Sequence, residues 1–136
     1  MEITGVAPLL TVSDLDRSVR FYRLLGFEPL AQWDTYAKLA AGERAVLHLA
    51  TEGDPPPDRP TVALQAPSAS ATTVATIVVV EVADCRQACD QLTAADVALL
   101  TRPATPPWGG VVHAFVRDPD GHLVELKEPA GRASAH

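Results

Sequence analysis

Positive charge is scarce in this chain: 11 Lys and Arg stand against 17 Asp and Glu, a formal net charge of −6. Binding a phosphate backbone needs a clustered Lys/Arg excess, so the charge balance argues against nucleic acid as the main partner. No basic run is present to dock on an anionic membrane, and no segment approaches the roughly 20 apolar residues that span a bilayer. Met1-Glu2-Ile3-Thr4 lacks the positive start and apolar stretch of a signal peptide, so the cytoplasm is the expected compartment. Cysteine is limited to Cys85 and Cys89. Four residues apart in a helical pattern, they share a face and point along the axis, which is poor disulfide geometry. They read as reduced thiols, because a metal pair or redox couple needs more Cys or His nearby.

What is present suits one ordinary domain of 136 residues, 47% hydrophobic and 21% charged. Such a chain buries roughly 65–70% of its unfolded surface. A weak internal repeat organises it. VSDLDRSVRFYRLLGFEPL, from Val12, returns as VADCRQACDQLTAADVALL from Val82 at an offset of 70 residues. The reading is an α+β chain of two β-α-β-β-β modules, at about 4–50 and 72–128. Each opens on an apolar extended run, Val6–Val12 and Thr76–Val82; the second holds β-branched Ile77-Val78-Val79-Val80, which favours strand.

A helix then follows in each module. Leu15, Val19 and Tyr22 recur at helical spacing. Each extended run meets an acidic residue that can cap a helix, Asp14 and its repeat partner Asp84. Ser13 with Asp16, and Asp84 with Gln87, resemble capping boxes, and Gly26 closes the first helix. Further strands are expected at about 27–33, 35–40 and 44–50, and at 97–101, 111–117 and 122–127. Asp118-Pro119-Asp120-Gly121 fits a type I turn before the last. Thr51 to Ala71, with Pro55-Pro56-Pro57, Pro60 and Pro67, reads as an extended linker. Arg102 to Pro107 reads as a loop, and the tail from Ala130 to His136 as frayed.

Pro8-Leu9-Leu10-Thr11-Val12-Ser13-Asp14, with Ser18, Phe21-Tyr22 and Leu25-Gly26-Phe27, resembles the opening of vicinal-oxygen-chelate proteins. That superfamily comprises glyoxalases, bleomycin and fosfomycin resistance proteins and extradiol dioxygenases. Trp108-Gly109-Gly110, Phe115, Asp118-Pro119-Asp120-Gly121 and Val124-Glu125-Leu126 resemble its closing signature, so the likeness runs from about Val6 to Lys127. It implies paired modules curling into an open, U-shaped barrel around a small-molecule ligand, in many members a divalent metal, and commonly a homodimer.

Carried over from the resemblance, the metal-ligand positions are Ala7, His48, Ile77 and Glu125. Alanine and isoleucine offer no donor atom, so His48 and Glu125 form an incomplete set. A divalent site usually needs three or more protein donors; His113 is a third candidate if its strand faces inward. His48 is either pocket-facing or hydrogen-bonded to backbone. Glu125, in an apolar strand, either faces a wet cavity or pairs with a cation. Strand alternation puts Leu9 on one face with Ala7 and Thr11, and Val79 with Ile77 and Glu81. That lining is mostly apolar and suits an organic ligand with a few directing groups. Trp108, Trp33 and Tyr36 serve either as platforms for a flat ligand or as satellite-core or dimer packing. Pro8, after Ala7, is similar to the bleomycin-resistance branch; a strand proline also indicates an edge or a swapped arm.

Two expectations follow. The first is a metal-free binding protein that sequesters an antibiotic-like or aromatic compound. The second is a lyase, isomerase or dioxygenase of the same superfamily, working with a reduced metal-ligand set or with no metal, in which His48 and Glu125 act as ligands or as acid and base.

Overall fold

Residues 1–54 and 61–130 are described by a computed structural model, in which the chain divides into two compact units between Ser68 and Ala69. Unit one runs β1 (Leu9–Val12), α1 (Leu15–Leu24), β2 (Glu28–Gln32), β3 (Tyr36–Ala41) and β4 (Ala45–Thr51). The sheet order is β1-β4-β3-β2, with β1 parallel to β4 and the other pairs antiparallel. Pro8 precedes edge strand β1, and its carbonyl accepts from His48 N–H at 3.0 Å. A proline is tolerated at such a place because no interior ladder donor is lost.

Alternation assigns the faces of this sheet. Leu10, Val12, Ala37, Leu39, Leu47 and Leu49 are buried, as are Leu15, Val19, Phe21 and Tyr22 of α1. Each large aliphatic side chain so buried stabilises the fold by roughly 1.5–3 kcal/mol. Tyr22 meets Phe21 and Phe27 edge-on, at centroid distances of 5.1 and 6.1 Å. The residues between, Leu9, Tyr36, Lys38, His48 and Ala50, remain on the opposite face with partial or full exposure.

Unit two runs β5 (Ile77–Glu81), α2 (Cys85–Ala94), β6 (Val111–Arg117) and β7 (Leu123–Pro129), in the order β5-β7-β6. Cys85, Cys89 and Leu92 of α2 are buried along with Ala114, Val116, Val124 and Leu126 of the sheet. Both cysteines are free, as expected, and the Cys85 thiol donates to Leu126 C=O at 3.5 Å. Burial pushes the Cys85 thiol up to about 11 and raises the Cys89 thiol as well.

Two local expectations change. The capping box expected at Ser13 and Asp16 gives way to the acidic cap: the Asp14 carboxylate accepts from Arg17 N–H at 3.0 Å, while Ser13 Oγ accepts from the Arg17 guanidinium and Asp16 accepts from Gln32. Asp14 has the extended backbone (φ −137°) that a cap needs. Asp84 caps α2 through Gln87 N–H as expected, and Glu128 adds a second acceptor at Cys85 N–H. The strand expected at 97–101 contracts to one bridge, Leu99 with Val116. Thr101 Oγ1 takes the Phe115 N–H that a strand carbonyl would accept, which diverts the ladder. His122 is half-buried, and its backbone N–H donates to the buried Asp118 carboxylate.

The turn at 118–121 forms, with Gly121 N–H donating to Asp118 C=O at 3.0 Å. The flanks of the proline-rich segment are paired: Gly53 bridges Leu64, and Ala66 N–H donates to Glu52. Pro55-Pro56-Pro57, Pro60 and the tail from Gly131 to His136 lie outside the described residues.

Candidate functional site

The open face of each sheet gathers the singled-out residues of its own unit. In unit one His48 lies opposite Leu9 on one side and Lys38 on the other, and Tyr36 lies opposite Ala50. The Tyr36 hydroxyl and His48 Nδ1 share a hydrogen bond. Their rings stack at 5.7 Å, and Trp33 follows at 5.6 Å from Tyr36. Trp33, Tyr36 and His48 therefore make a continuous row of flat rings, with Trp33 64% exposed at its end. A cavity of about 450 Å³ adjoins the row, walled by Leu9, Tyr36, Ala50, Thr51, Glu52 and Leu64.

In unit two Glu125 lies opposite Val79 and Phe115, and His113 opposite Lys127. His113 Nδ1 donates to the Glu125 carboxylate at 2.8 Å. Both side chains are largely covered, 16% and 17% exposed, so the pairing answers the cost of holding a carboxylate there. His113 packs edge-on against Phe115 at 5.1 Å and Trp108 at 6.1 Å. Val79, 50% exposed, and Trp108, 76% exposed, keep this face apolar and open.

The register shows that these two arrangements are one arrangement repeated. Leu9 and Val79, at the repeat offset of 70, occupy matching places beside His48 and Glu125 respectively. Tyr36 and His113 likewise sit two positions along the neighbouring strand. Each unit thus carries a diagonal polar pair, Tyr36–His48 in one and His113–Glu125 in the other, set among rings and aliphatic side chains. The structure resolves the phase of His113, which shares a face with Glu125. Phe115, known from the sequence only as part of a closing motif, joins the same face; its signal was its even spacing from His113.

A divalent ion does not fit either face. The cross-strand neighbours of His48 are an aliphatic side chain and a lysine, and those of Glu125 are valine and phenylalanine. Nδ1 of His48 is already bonded to Tyr36 and Glu125 is held by His113. Ala7 and Ile77 supply no donor, and among the described residues no group of three or more His, Cys, Asp or Glu is placed to hold a metal. No helix among the described residues is long and apolar enough to cross a membrane.

Residues 5–126 match the model of the Glyoxalase/Bleomycin resistance protein/Dioxygenase superfamily. No curated protein matches the chain. Among solved structures, TioX from Micromonospora sp. ML1 is 26% identical with a TM-score of 0.69, covering 93% of this chain and 98% of its own. A glyoxalase/bleomycin resistance protein/dioxygenase from Nocardioides is 23% identical with a TM-score of 0.71, covering 97% and 87%. A bleomycin-binding protein solved in complex with bleomycin is 20% identical with a TM-score of 0.65, covering 93% and 98%.

Proposed function

The chain belongs to the Glyoxalase/Bleomycin resistance protein/Dioxygenase superfamily, and from that premise we propose that it binds a flat, antibiotic-like or aromatic organic molecule without a metal ion. The observation that carries this reading is the pair of open sheet faces, each with exposed rings around one polar pair. Exposed apolar surface of this kind costs solubility unless something binds there. Trp33, Tyr36 and His48 offer stacking area in unit one, and Trp108, His113 and Phe115 offer it in unit two. Leu9 and Val79 add aliphatic contact. The polar pairs supply a few directed hydrogen bonds in a largely apolar setting, which is how organic ligands are oriented. The bleomycin-bound neighbour shares the fold, and that supports the class of ligand.

Thermal shift against a panel of planar and glycopeptide antibiotics tests the proposal, since a ligand of the folded state raises the melting temperature. At least one compound is expected to stabilise the protein, with Trp108→Ala reducing the effect. A panel with no stabilising compound contradicts the reading.

The His113–Glu125 pair favours a second reading, a metal-free enzyme. A carboxylate that accepts from Nδ1 holds the ring in the tautomer whose other nitrogen accepts a proton. Turnover of a bound compound, abolished in Glu125→Gln with binding retained, would select it over simple sequestration.

A further inference from the structure

A second cleft, which shares no lining residue with the ring-bearing face of unit two, lies between α2 and the segment 99–103, with a volume of about 790 Å³. One wall is a regular helix face, on which Arg86, Asp90 and Thr93 recur at spacings of four and three. The other wall is fixed to the β6 edge. Leu100 N–H and Thr101 N–H donate to Phe115 C=O at 2.8 and 3.3 Å, and Ala104 and His113 exchange backbone bonds at 3.0 Å. Phe115 N–H returns to Thr101 Oγ1 at 2.9 Å. The cleft is therefore built by tied backbone on both sides.

Its chemistry is unlike the rest of this acidic chain. A guanidinium comes from each wall, Arg86 and Arg102, against one carboxylate, Asp90. Neither arginine has an ion-pair partner among the described residues. The Cys89 thiol also lines the cleft, and burial raises it, so it adds no negative charge at neutral pH. Leu99, Leu100 and Pro103 supply apolar surface beside the charges.

We infer that this cleft is a second binding site, for a small organic oxyanion whose phosphate or carboxylate group is held between Arg86 and Arg102 while its apolar body rests on Leu99, Leu100 and Pro103. Planar guanidinium forks match the geometry of such oxyanions. The site uses none of the ring residues of the proposed function, so it stands or falls separately from that reading.

Phenyl phosphate is the probe, with inorganic phosphate and phenol as separate arms, followed by amide chemical shifts of the full chain. Phenyl phosphate is expected to shift residues of α2 and 99–104, to bind more tightly than either fragment, and to weaken as salt rises. Arg102→Glu is expected to lower its affinity about tenfold or more, and Arg102→Lys to retain part of it. Both arginines are surface-exposed, so an unchanged melting temperature verifies that the variants fold. Trp108→Ala is expected to leave these shifts in place. The inference is overturned if millimolar phenyl phosphate produces no shifts there, if phenol or inorganic phosphate binds equally well, or if Arg102→Glu binds as tightly as the parent.

Discussion

Trp33 and Trp108 are the only tryptophans in the chain, and both stand exposed at the ends of ring clusters. Tryptophan emission therefore reports directly on the two faces. A flat ligand is expected to quench it, and Trp33→Phe and Trp108→Phe variants assign the quenching to one unit or the other. Truncating a stacked ring to alanine is expected to weaken binding roughly 2- to 13-fold, from about 0.5–1.5 kcal/mol per ring pair. The cysteines give a second prediction at this scale. With Cys85 and Cys89 buried, a thiol reagent is expected to label neither in the native protein at neutral pH and both after denaturation. The Cys85 thiol is raised from 9.0 to about 11, so the folded state holds its proton longer than the unfolded state does. Stability from this group is complete below pH 9.0 and falls as pH rises toward about 11. Denaturant midpoints across that window are expected to decline more steeply in the parent than in Cys85→Ala.

At the scale of elements, the repeat predicts opposite outcomes at matching positions. Gly26, after α1, has φ of +100°, and Asp96, 70 residues on and after α2, has φ of +64°. Only glycine adopts this region without a Cβ penalty, so Gly26→Ala is expected to cost about 1–2 kcal/mol. Asp96→Gly is expected to be neutral or to stabilise by under about 1 kcal/mol, because relief of the left-handed conformation competes with glycine's greater unfolded freedom. Chemical denaturation of the two variants checks both signs. Asp118 anchors the turn before β7 by accepting from Asp120 and His122 N–H at 2.9 Å each. Asp118→Ala leaves buried donors without that acceptor and is expected to destabilise by roughly 2–4 kcal/mol.

Most elements were legible in the sequence because period and punctuation agreed: alternating strands, helical spacing of Leu15, Val19 and Tyr22, and Gly26 at the stop. Where legibility ended, a single side chain had altered the outcome. Thr101 captured the Phe115 amide and shortened a strand, and Asp16, read as part of a capping box, turned to Gln32. Such choices turn on backbone angles at one residue, which composition does not encode. The candidate residues were legible one by one. Their pairing was not, because the diagonal contacts of Tyr36 with His48 and His113 with Glu125 depend on strand register.

At the scale of the whole molecule, the two units are variations on one plan, a capped helix over one sheet face and a ring-lined polar pair on the other. Their divergence is chemical. Unit one keeps a phenol–imidazole pair beside a lysine, and unit two an imidazole–carboxylate pair beside aliphatic and aromatic side chains. Neither, among the described residues, gathers three His, Cys, Asp or Glu side chains for a divalent ion, and the proposed function draws its affinity from stacking, apolar contact and a few hydrogen bonds. The most direct test is a tryptophan-emission titration with an aromatic compound that stabilises the protein in the thermal-shift panel and does not itself chelate metals, run in excess chelator and again with added zinc or manganese. Saturable quenching of equal affinity in both conditions is the result expected here. Quenching that vanishes in chelator and returns only with the ion would contradict it.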